Sequence, residues 1–136
     1  MTKILGIDPG SIKTGYGIIE SKSNHTKHIE NGVIKVKGET LAEKLKIINI
    51  QITAIIKKFQ PDEIAIEKVF MHRNADSALK LGQARGAAIT ACAMNEIALF
   101  EYSANQVKKA CVGNGHATKE QVQHMIKILL CLEESP

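Results

Sequence analysis

Short apolar runs separated by turn-forming residues dominate the first forty positions. Residues 3–8 form one such run and end on Asp8. Asp8-Pro9-Gly10 reads as a turn, and residues 14–19 resume with Gly15, Tyr16, Gly17, Ile18 and Ile19. Pro9 presets φ for the second turn position, and Gly10 supplies a positive φ if the turn is type II. A polar loop at 21–25 leads to a third strand candidate over 27–37, where Ile34 and Val36 share one face. Three strands joined by short turns predict an antiparallel meander.

The period then changes. Leu41, Leu45, Ile48, Ile52, Ile55 and Phe59 recur at alternating steps of four and three, which predicts a helix over 41–58 with one apolar side. Pro61 cannot continue it. Ile64-Ala65-Ile66-Glu67 follows as a short buried strand, most economically parallel to the first through a crossover. Residues 74–95 predict a second helix lined with small side chains, among them Ala78, Gly82, Ala84, Gly86, Ala88 and Ala91. Such a surface suits close approach of another helix, within the chain or across a dimer, and equally suits plain packing on the sheet. Residues 97–102 form a fifth strand. Ser103 with Gln106 and Thr118 with Gln121 fit the capping-box pattern and open helices over 103–112 and 118–131. The order βββαβαβαα predicts a single α/β domain over residues 1–136 with a mixed sheet.

Composition narrows the class. A chain of 136 residues with 44% hydrophobic and 24% charged residues suits one packed core and excludes disorder as the main state. No stretch approaches the length of a membrane-spanning helix, and the first apolar run meets an acid too early for a signal peptide. The expectation is a soluble, cytoplasmic chain with no membrane association. Cys92, Cys111 and Cys131 are widely spaced among aliphatic neighbours and match no zinc or disulfide pattern, so they read as buried hydrophobes. Lys and Arg outnumber Asp and Glu by 18 to 14, a balance that favours a polyanionic partner.

Two acids stand out by position. Asp8 ends the first strand and Glu67 the fourth, each after an apolar run. If those strands are parallel neighbours, both carboxylates emerge at one edge of the sheet, where open α/β sheets place their ligands. Paired carboxylates repel and are stabilised by a cation between them, and oxygen ligation suits Mg²⁺ or Mn²⁺. An Asp before Pro-Gly is also an ordinary turn residue, and a Glu at a strand end an ordinary solvated one. Lys68, Arg73, Lys80, Arg85, Lys108, Lys109 and Lys119 are candidates to follow a phosphate backbone. Phe70, just past Glu67, is placed either to stack on a base or to tuck into its own core. The five histidines show no metal-pair spacing, and the glycines do not form a phosphate-binding P-loop.

Three segments carry a specific resemblance. Ile4-Leu5-Gly6-Ile7-Asp8-Pro9-Gly10 with Thr14-Gly15-Tyr16-Gly17, then Ala65-Ile66-Glu67-Lys68-Val69-Phe70, then residues 74–86 (NADSALKLGQARG), are similar to the RuvC family of bacterial Holliday-junction resolvases. Phe100-Glu101-Tyr102 and the residues around Lys108 and His124 extend the similarity over essentially the whole chain. The resemblance implies a ribonuclease-H-like fold with a five-stranded mixed sheet flanked by helices. It also implies a homodimer that binds four-way junction DNA and nicks two strands symmetrically during recombination and repair. Partners implied are the branch-migration proteins RuvA and RuvB. By the same resemblance Asp8 and Glu67 are catalytic metal ligands for two Mg²⁺ ions per subunit, with Mn²⁺ a substitute, in two-metal phosphodiester hydrolysis. Phe70 becomes a junction wedge, Arg73, Lys108 and Lys119 backbone contacts, and the small-residue helix the dimer seam. Arg85 stays among the DNA-contact candidates through its charge.

The family adds a further acid pair, spaced DxxD, on a closing helix. This sequence closes at Leu132-Glu133-Glu134-Ser135-Pro136, about where that helix begins, and adjacent glutamates diverge by roughly 100° on a helix, so they do not imitate it. The expectation is a junction endonuclease with impaired cleavage or, alternatively, a dimer that holds junctions and cuts little. A nucleotide-binding fold of the actin and sugar-kinase type shares the opening hairpin but needs a duplicated domain for which this sequence has neither length nor repeat.

Overall fold

The computed structural model describes residues 1–22, 25–68 and 74–103. These form β1 (Thr2–Asp8), β2 (Lys13–Lys22), β3 (His25–Lys35), α1 (Leu41–Phe59), β4 (Glu63–Glu67), α2 (Ala75–Met94) and β5 (Ala98–Tyr102). The five strands make one sheet in the order β3-β2-β1-β4-β5. The meander β1–β2–β3 is antiparallel, with a bulge between Ile18 and Ile19, whereas β4 runs parallel to both β1 and β5. The mixed sheet expected from the sequence is present. The helices expected over 103–112 and 118–131 lie outside the described residues, as do Cys111 and Cys131.

Strand alternation divides the sheet into two unlike faces. Leu5 and Ile7 on β1, Ile18 on β2, and Ile64 and Ile66 on β4 are buried in one cluster with Ile48, Ile52, Ile55 and Ile56 of α1 and Ala84, Ala88, Ala91 and Cys92 of α2. Both described helices therefore pack on the same face. The apolar stripe of α1 is the one the spacing predicts, with Ile48, Ile52 and Ile55 buried and Leu45 and Phe59 packed against the core; Ile56 joins it, whereas Leu41 at the helix start is 47% exposed. The small side chains of α2 divide between two directions. Ala84, Ala88 and Ala91 are buried, while Gly82 and Gly86 are exposed and a methyl group built on either meets no atom of the described residues within 4 Å. Burial pushes the Cys92 thiol up to about 11, as an inert core residue requires.

Caps and short polar ties fix the helices to the sheet. Thr40 and Glu43 form a full capping box at the start of α1: the Thr40 hydroxyl accepts from the Glu43 N–H at 3.2 Å, and Glu43 Oε2 accepts from the Glu39 and Thr40 N–H groups. At its other end the Lys3 ammonium donates to the Phe59 carbonyl at 2.9 Å, and the Lys3 N–H donates to Asp62 Oδ2 at 2.8 Å. The end of α1 is thus pinned to the start of β1. Gln60 caps α1 with φ 48° and ψ 60°, left-handed backbone that favours glycine. Relief of that conformation outweighs the extra chain entropy of glycine, so Gln60→Gly is expected to stabilise the fold by roughly 0.5–1 kcal/mol, measured as a higher urea midpoint at unchanged slope.

Candidate active site

Asp8 is the last residue of β1, and the turn that follows is closed by a buried side chain. Thr14 is fully buried; its hydroxyl accepts from the Gly10 N–H and donates to the Gly10 carbonyl, each at 3.3 Å. The positive φ foreseen for a type II turn is absent at Gly10. Glycine is required there for a different reason: a Cβ at this position runs into the backbone carbonyl of Lys13. Pro9, also buried, completes a turn whose geometry leaves Asp8 exposed at the strand end.

Glu67 is the last residue of β4. The paired register of β1 and β4 runs from Ile4–Glu63 to Ile7–Ile66, so Asp8 and Glu67 are the next residues along on adjacent parallel strands. Adjacent strands lie about 4.8 Å apart. Because Ile7 and Ile66 face the core, alternation sends both carboxylates to the opposite face. There they line an open cleft of about 560 Å³. Its floor is made of very small residues, Gly6, Gly15, Gly17 and Ala65, so little stands between the acids and an incoming ligand. Tyr102, the β5 partner of Glu67, forms one flank and is 43% exposed. His28 and Asn31 of β3 lie along the cleft and hydrogen bond to each other at 3.0 Å.

The donor set is all oxygen, in a setting open enough for water, which fits a hard divalent cation such as Mg²⁺ or Mn²⁺. Two like charges on neighbouring strand ends repel each other, and a shared divalent ion removes that penalty. Among the described residues no group of three or more His, Cys, Asp or Glu side chains gathers to hold a metal; Asp8 and Glu67 are a candidate pair of ligands.

The basic candidates fall in different places. Phe70, Arg73, Lys108 and Lys119 lie outside the described residues. Lys68 is exposed and its N–H donates to the Tyr102 carbonyl at 2.7 Å. Lys80 pairs with Asp76 one turn away on α2. Arg85, a candidate phosphate contact by charge, has its guanidinium joined to the Glu101 carboxylate on β5, with the Arg85 side chain 21% exposed. No local signal marks Tyr102 and Glu101 as individual site residues; the register of β5 against β4 brings Tyr102 beside Glu67 and Glu101 beside Ile66.

A family model described as crossover junction endodeoxyribonuclease RuvC matches residues 4–136. The chain is 53% identical over 136 residues to the crossover junction endodeoxyribonuclease RuvC of Hahella chejuensis, covering all of this chain and 79% of that protein. A Shewanella relative of the same description is 54% identical with the same coverage. Among solved structures, Thermus thermophilus RuvC in complex with a Holliday junction substrate superposes with a TM-score of 0.94 at 31% identity, covering all of this chain and 84% of the other. The yeast mitochondrial Holliday junction resolvase, at 12% identity and a TM-score of 0.65, shares the fold.

Proposed function

Because this chain belongs to the RuvC family of crossover junction endodeoxyribonucleases, we propose that Asp8 and Glu67 form the metal-binding core of its nuclease site. The protein is a structure-selective DNA endonuclease of ribonuclease-H-like fold, and the family uses a divalent metal. The observation that carries the assignment is the emergence of both carboxylates from the ends of adjacent parallel strands, on the face away from the helices.

The substrate is a four-way DNA junction, the ligand of the Thermus relative. The metal is Mg²⁺, two ions per subunit, with Mn²⁺ able to replace it. When bound, such ions activate a water for attack on the scissile phosphodiester and stabilise the departing 3′ oxygen. The chain's own contribution is positional. Asp8 and Glu67 supply two of the anionic ligands, and the Gly/Ala floor lets a sugar-phosphate backbone settle close to them. Phe70, immediately beyond β4, acts as a wedge at the crossover, and Arg73, Lys108 and Lys119 neutralise phosphates, which places binding under strong salt control. The working unit is a homodimer whose two-fold axis matches that of a junction. The exposed Gly82 and Gly86 of α2 support a close seam there. RuvA and RuvB are its branch-migration partners in the cytoplasm, and residues 1–136 act as a single domain.

The test is a synthetic four-way junction incubated with the purified chain at millimolar Mg²⁺ or Mn²⁺. Paired nicks in two strands of like polarity, abolished by a chelator, are the expected result. Chelator-resistant nicking overturns the metal assignment. Tight junction binding with no nicks at any metal concentration shows a chain that holds junctions without cutting them.

A further inference from the structure

Resting on the reading of Glu67 as a metal ligand, we propose that Arg85 and Glu101 are a positioning pair, which locks the end of β5 to α2 and thereby holds Glu67 at its place beside Asp8. The pairing pattern around Glu67 is one-sided. The register with β1 stops at Ile66, one residue short of Glu67. The register with β5 continues through Glu67–Tyr102, and the next N–H, that of Lys68, donates to the Tyr102 carbonyl at 2.7 Å. The backbone of Glu67 is therefore braced by β5.

That brace is a strand of five residues at the edge of the described sheet, with β4 as its neighbour among the described strands. Short edge strands fray unless something ties them down. Alternation turns Tyr102 to the cleft and Glu101, the partner of Ile66, to the helix side. There Glu101 accepts from the Arg85 guanidinium, and between described residues this is the ion pair that joins the sheet to α2. Arg85 is drawn in far enough that its Nε is buried without a hydrogen-bond partner among the described residues, an arrangement a freely solvated phosphate-seeking arginine avoids. The Arg85 guanidinium holds the Glu101 carboxyl below its usual range. The pair is accordingly present at neutral pH and is lost only as pH falls through that lowered value.

Outer residues that orient metal ligands typically alter affinity by 10–100-fold when removed. The experiment measures Mn²⁺ binding by the DNA-free protein, from the free-ion paramagnetic resonance signal, alongside junction affinity, kcat and melting temperature. Glu101→Gln is expected to weaken Mn²⁺ binding about 10-fold or more and to lower kcat, with junction affinity unchanged. The swapped pair Arg85→Glu with Glu101→Arg is expected to recover most of the Mn²⁺ affinity. Wild-type Mn²⁺ affinity in Glu101→Gln overturns the proposal. So does a swapped protein with wild-type melting temperature and weak Mn²⁺ binding, which keeps the question decidable if Glu101→Gln does not fold. Glu67→Gln serves as the reference: wild-type Mn²⁺ binding there removes the reading of Glu67 as a ligand, independently of the pair.

Discussion

Asp8→Asn is expected to reduce junction nicking by more than about 100-fold while leaving junction binding intact or slightly tighter, because removing a ligand outright exceeds the 10–100-fold effect of disturbing a ligand's support. The substitution keeps the shape of the side chain and deletes one negative charge. A neutral amide is a weaker partner for a hard divalent ion than a carboxylate, and Glu67 alone is then left to hold it. DNA phosphates approaching the cleft meet one repulsive charge fewer, which is why affinity does not fall. Asp8 is exposed, and the turn after it is closed by Thr14 and Gly10, not by the Asp8 side chain. The variant therefore keeps its melting temperature. Gel-shift and nicking assays on one preparation separate the two effects. Joint loss of binding and cutting, with a lowered melting temperature, assigns Asp8 to the fold instead.

Ile52→Ala carries the largest expected loss of stability, about 2–5 kcal/mol, because the deleted carbons leave a hole that the surroundings only partly fill. Ile52 is 1% exposed at the middle of α1, in the cluster shared by the sheet and α2. Domains of this kind are stable by only about 5–15 kcal/mol, so the loss is a large fraction of the total. Ile50, two residues away on the same helix, is 50% exposed. Its alanine variant is expected within about 0.5 kcal/mol of wild type. The urea midpoints of the two variants thus report directly which side of α1 meets the sheet. Equal midpoints contradict the packing described above.

Much of the architecture could be read before any coordinates, and particular residues show why. Alternation through Leu5 and Ile7, the four-and-three spacing of α1 and the short run at Ile64 and Ile66 are local signals, and all three elements are where they were expected. The convergence of Asp8 and Glu67 was also accessible, since a strand–helix–strand unit brings the two strand ends to one edge. The rest depended on distances a sequence does not encode. The Gly10 requirement comes from the Lys13 carbonyl folding back over it, not from the sign of its φ. The exposure of Leu41 at one end of α1 and the burial of Ile56 near the other depend on where the rest of the fold covers the helix. Arg85 reads as a phosphate contact until β5 brings Glu101 to it. The capping box at Thr40 and Glu43, by contrast, is a local signal of the same kind as the Ser103–Gln106 and Thr118–Gln121 patterns.

The bare floor of the cleft has one more consequence. A methyl group added at Gly6, Gly15 or Gly17 meets its nearest neighbour at 3.8–3.9 Å, ordinary van der Waals contact, and none of the three has left-handed backbone. Among the described residues nothing therefore forbids a side chain there. Substitutions at these three positions are therefore a way to probe the outline of the docked DNA while leaving the described scaffold that receives it undisturbed.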